Sequence, residues 1–161
     1  MINYTDELKR NIMQMPGAVL LSAILADTGS AVVGMREFMA GENFISEAGT
    51  KYPGNSLIQY MIKNVQLPEL EKMIQPVLSI GNADKIRAEC QKKISDGVAS
   101  LAPHDQEAEQ FKAFLVTLAE KVVNAAGEGF FGNRGTRVSA NEATYMNQLK
   151  QQLHIGSTPM A

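Results

Sequence analysis

Between His104 and Ala126 the residues Phe111, Phe114, Leu115, Leu118 and Val122 stand at i, i+3, i+4, i+7 and i+11. That spacing gathers all five on one face of an α-helix and would scatter them over both faces of a strand. A helix with one apolar face must be covered by other elements, and the rest of the chain supplies them in the same period. Thr5 to Met15 reads as a short first helix ended by Pro16-Gly17. Gly17 to Asp27 follows. Its Val19, Leu20, Leu21, Ile24 and Leu25 leave little polar face, so it should be the buried centre.

A third helix is expected from Ser30, as its cap, to Ala40, with Val32, Met35 and Met39 on one face. Gly41, Gly49, Pro53 and Gly54 then interrupt the pattern, and Gly41 to Asn55 reads as a long ordered loop. Leu57, Ile58, Met61 and Ile62 place a helix over about Asn55 to Asn64. Pro68 suits the first position of another, to Ser79, with Leu70, Met73, Ile74 and Val77 on its face and Pro76 bending or ending it. Ile86, Cys90, Ile94, Val98 and Leu101 mark a helix starting near Asn82, and Tyr145, Met146, Leu149 and Leu153 mark one opening at Ser139. No strand signal has a partner. The expected fold is all-α: one compact bundle of about seven helices over residues 1–161, with a frayed tail from about 156.

A chain of 161 residues suits one domain. Fifteen Lys and Arg against 17 Asp and Glu leave a net charge of −2, which argues against a nucleic-acid-binding protein with a dominant basic field. The longest apolar stretch, Ala18 to Ala26, is broken by Ser22, well short of the roughly 20 residues of a membrane span. No basic segment followed by an apolar one opens the sequence, so a cytoplasmic protein is expected, without membrane insertion. One cysteine allows neither an internal disulfide nor a cysteine-based zinc site.

Few motifs carry chemistry. The glycine loop from Gly127 to Arg137 has glycines at the spacing that opens a phosphate loop. However, Asn133 stands where lysine is required and a helix, not a strand, precedes it. Ser139 and Glu142 form a capping box. His104 and Glu107 share a helix face but read as a solvated first turn. Asp27, between a buried helix and a Thr-Gly turn, is either a turn residue or a carboxylate ligand for a hard cation. Cys90 lies on an apolar stripe and reads as core. A hydrolase or redox mechanism would need it, or His104 or His154, as its reactive group. The nine methionines, among them Met13, Met15, Met35 and Met39, read as core or as an adaptable docking face.

Two segments echo one another. Ala18 to Gly29 is an apolar helix ending in Ala-Asp-Thr-Gly. Phe114 to Gly129 is an apolar helix ending in Ala-Gly-Glu-Gly. A duplicated helix–loop–helix unit would produce both. The stretch Ala119 to Leu153 carries Val122-Val123-Asn124-Ala125-Ala126, then Gly127-Glu128-Gly129, then Val138-Ser139-Ala140-Asn141-Glu142. In this it resembles the C-terminal part of the tellurite-resistance TerB-like family: an apolar helix ending in small residues, an acidic glycine turn, and a Val/Ile-Ser-x-x-Glu helix start. Leu20 to Gly29 resembles the family's first half less closely. The family's Ala-Asp-Gly turn reads Ala126-Gly127-Glu128 here, with a longer glycine loop inserted.

The resemblance implies an all-helical, internally duplicated, non-catalytic module in tellurite and chemical-stress responses. It also implies acidic residues near the helix turns that bind a divalent cation (Ca²⁺, Mg²⁺ or Zn²⁺). Asp27 and Glu142 match by position, with Glu128 in the shifted acidic place. A protein partner or a homodimer, formed by a ligand-free interaction bundle, is the alternative.

Overall fold

The computed structural model describes residues 4–27, 31–72, 82–127 and 138–156. All the regular structure among them is helical: α1 (Asp6–Ile24), α2 (Ala31–Lys51), α3 (Ser56–Asn64), α4 (Ala83–Ser100), α5 (Gln106–Gly127) and α6 (Ala140–Gln152). Residues 67–72 are helical as well. The all-α bundle expected from the periodicity is what the chain forms.

Helix α1 runs through Pro16 instead of ending there. A proline inside a helix costs about 3 kcal/mol, because its nitrogen cannot donate to the carbonyl four residues back. Burying one large apolar side chain returns about 1.5–3 kcal/mol. Every residue from Met15 to Leu25 is buried, so packing outweighs the missing bond and two expected helices become one. Thr5 caps its start by accepting from the Leu8 N–H at 3.1 Å.

Helix α2 likewise continues through Gly41 and Gly49, where a loop was expected. Each glycine costs about 1 kcal/mol in a helix interior. Phe38, Phe44, Ile45 and Ala48 are buried along the same stretch and outweigh that cost. Gly41 has a packing reason. A Cβ there would lie 2.4 Å from Leu20 Cδ1 of α1 and 3.1 Å from Val122 Cγ2 of α5, so the Leu20 side chain occupies the space a methyl group would need. The true connection to α3 is only residues 52–55.

Helix α1 packs against α4 and α5, α2 against α5, and α6 against α5 and α4. The core centres on the α5 stripe, where Phe114 stacks on Phe44 with ring centroids 5.4 Å apart and meets Tyr52 edge-on at 5.8 Å. The α5 apolar face and the capped start of α6 stand where the sequence placed them. The expected cap at Ser30, the second half of the helix expected over Pro68 to Ser79, the glycine loop after Gly127 and the tail after Gly156 lie outside the described residues.

Candidate functional site: a buried carboxylate among acidic helix ends

Asp27 lies just beyond the C-terminus of α1, half-buried in a bend. Glu142 lies in the first turn of α6 and is buried, at 3% exposure. Its local duty is clear. Its Oε2 accepts from the Ser139 N–H at 2.7 Å, and its own N–H donates to Ser139 Oγ at 3.1 Å. That is the complete capping box expected from the sequence.

The tertiary fold adds a third acid that sequence reasoning did not single out. Glu37 sits inside α2, 3% exposed. Its carboxyl is pushed up to about 8, first by burial, then by the negative charge of Glu142, then by that of Asp27. Two of the three acids expected from the sequence therefore lie within electrostatic reach of one buried glutamate. The third, Glu128, lies outside the described residues. Glu37 fell within the helix expected over Ser30 to Ala40, where nothing in its local sequence set it apart from a solvated acid.

Near neutral pH Glu37 is largely a neutral acid, able to donate a hydrogen bond. Losing its proton would leave a buried negative charge beside two others, a state that a cation stabilises. The donors are all carboxylate oxygens, the ligand type of Ca²⁺ and Mg²⁺. One Glu142 oxygen is committed to the α6 cap. Among the described residues, no three His, Cys, Asp or Glu side chains stand together as a formed metal site.

The other candidates resolve into structural roles. Glu107 accepts from the Ser56 N–H at 3.2 Å and from the Ser56 hydroxyl, holding the start of α3. Asn55 caps that helix, accepting from the Ile58 N–H at 2.9 Å and donating to the Glu107 carbonyl at 2.9 Å. His104 and His154 are exposed and adopt left-handed backbone, with φ of 63° and 56°. Cys90 is 3% exposed, and burial pushes its thiol up, away from the reactive thiolate. Met15 is core, whereas Met35 and Met39 are exposed on α2. No helix among the described residues is long and apolar enough to cross a membrane.

Comparison of the chain with protein-family models, with curated proteins and with solved structures returns no match.

Proposed function

We propose that this chain is a non-catalytic, TerB-like stress-response module, acting in tellurite or chemical stress, whose ligand is a hard divalent cation. Glu37, Asp27 and Glu142 would hold the cation, with Glu128 as the acid contributed by the glycine turn. The observation that carries the reading is the burial of Glu37 beside the charges of Glu142 and Asp27, which raises it to about 8. Gathering such charges costs stability unless something neutralises them, so their arrangement favours a ligand of opposite charge. Oxygen-only donors favour Ca²⁺ or Mg²⁺ over Zn²⁺. The buried, proton-retaining Cys90 and the exposed histidines give the hydrolase and redox alternatives no support.

Proton and cation compete for Glu37 in this reading, so affinity rises with pH until the glutamate is ionised. Calorimetric titration of metal-stripped protein with Ca²⁺ and Mg²⁺, on either side of the Glu37 value of about 8, tests it. Saturable binding that is stronger at the higher pH, and lost in Glu37→Gln and Asp27→Asn, is the expected result. Glu142→Gln is the informative change at the third position, because its amide oxygen can still cap Ser139 whereas alanine removes the cap. Absence of binding at either pH would overturn the cation reading.

A second reading, a ligand-free interaction or dimerisation bundle, is favoured by Met35 and Met39, one helical turn apart on α2 and 36% and 55% exposed. A concentration-dependent dimer abolished by Met39→Glu is its expected signature.

A further inference from the structure

A cavity of about 310 Å³ opens between α1, α4 and α6. Small-molecule sites span roughly 300–1,000 Å³, so this one suits a ligand the size of a monosaccharide. Ile94 and Leu149, both buried, supply apolar lining. Three side-chain amides, Gln91, Asn141 and Gln148, line it as well. All three residues are exposed, and their side chains bond to no described residue. At one end Gln152 donates across from α6 to the Gln91 carbonyl at 2.7 Å and to Ser95 Oγ at 2.8 Å, which ties α6 to α4.

The charge balance decides the ligand class. Among the described residues Arg87 is the only charged side chain lining the cavity, and its guanidinium is already engaged. Its Nε donates to the Leu25 carbonyl at 3.1 Å, and one terminal nitrogen pairs with Asp84 at 3.0 Å. Two lining residues, Ala26 and Asn141, are chain neighbours of the acids Asp27 and Glu142, which disfavours an anion. No lining carboxylate is present to attract a cation. Tyr145 and Ser22 are also satisfied: their hydroxyls bond one another at 2.8 Å, and Tyr145 donates to the Val19 carbonyl at 3.1 Å. What remains is a set of amides, each offering a donor and an acceptor side by side, the pattern that two adjacent hydroxyl groups match.

The geometry points to a binding site for a small neutral polyhydroxylated molecule, a monosaccharide or cyclic polyol, held by Gln91, Asn141 and Gln148 between α1, α4 and α6. The proposal does not rest on cation binding at Glu37. Isotope-labelled full-length protein titrated with D-glucose and myo-inositol, with gluconate as the charged counterpart, tests it through the side-chain amide NMR signals. The expected result is saturable shifts of the three amides with at least one neutral probe in the millimolar range, and weaker binding of gluconate. The double variant Gln91→Leu/Gln148→Leu should bind about tenfold more weakly or worse, since each lost hydrogen bond approaches a tenfold loss. Both positions are exposed, so the fold should persist, as a dispersed backbone spectrum would confirm. Three results would overturn the proposal: no saturable shift with either neutral probe, gluconate binding as tightly as the neutral probes, or unchanged affinity in the double variant.

Discussion

Glu37 couples folding to pH in a direction opposite to most acids. Its carboxyl sits at about 8 in the folded chain against 4.5 for an ordinary glutamate. Between those values the native state holds a proton that the unfolded chain has released, so stability falls as pH rises. The favourable contribution is complete below about 4.5 and is lost as pH passes through about 8. The slope from this one group is at most about 1.4 kcal/mol per pH unit. Melting temperatures measured across that window should therefore decline in the parent protein and stay flatter in Glu37→Gln, with the variant the more stable at the alkaline end. An unchanged pH slope in the variant would mean that Glu37 is not the group responsible. At Ser139 the expectation is a helix effect: Ser139→Ala should cost about 0.5–2 kcal/mol in chemical denaturation, because the Glu142 N–H loses its acceptor.

At the scale of the element, α2 contains its own control experiment. A Cβ at Gly41 would come within 2.4 Å of Leu20, whereas one at Gly49 meets Ile62 at an ordinary 3.5 Å. Alanine is the better helix former at both positions. Gly41→Ala should nonetheless destabilise by about 1–3 kcal/mol, since the buried Leu20 side chain must leave its packed position to admit a methyl group. Gly49→Ala should be neutral or stabilise by up to about 1 kcal/mol. Equal effects in urea denaturation would show that helix propensity, not close approach, governs α2. These glycines, like Pro16, also mark where local reasoning was misled. Gly and Pro lower the preference for a helix by a few kcal/mol at most, and the sequence does not reveal how much apolar surface the neighbouring helices will cover. The cap at Ser139 was legible, because it bonds within its own first turn, whereas Asn55, expected as a helix residue, turned out to be the cap of α3.

Over the whole molecule, Cys90 reports on global cooperativity. It is 3% exposed, on α4, the helix that covers α1. A thiol reagent should reach it only when that core opens, so its labelling rate should rise with denaturant along the global unfolding slope. Rapid labelling in the absence of denaturant would show that α4 opens separately. Sequence alone determined the all-helical class, the apolar face of α5 and the cap of α6, because these depend on spacing and on contacts within a few residues. It placed Asp27 and Glu142 at helix ends for the same reason. Only the tertiary structure decided that α1 and α2 run unbroken, that Glu37 lies within reach of the charges of Asp27 and Glu142, and that Gln91 and Gln148 line one cavity. Those outcomes depend on how helices distant in sequence pack, and burial summed over many residues outweighs the local preference of any one of them.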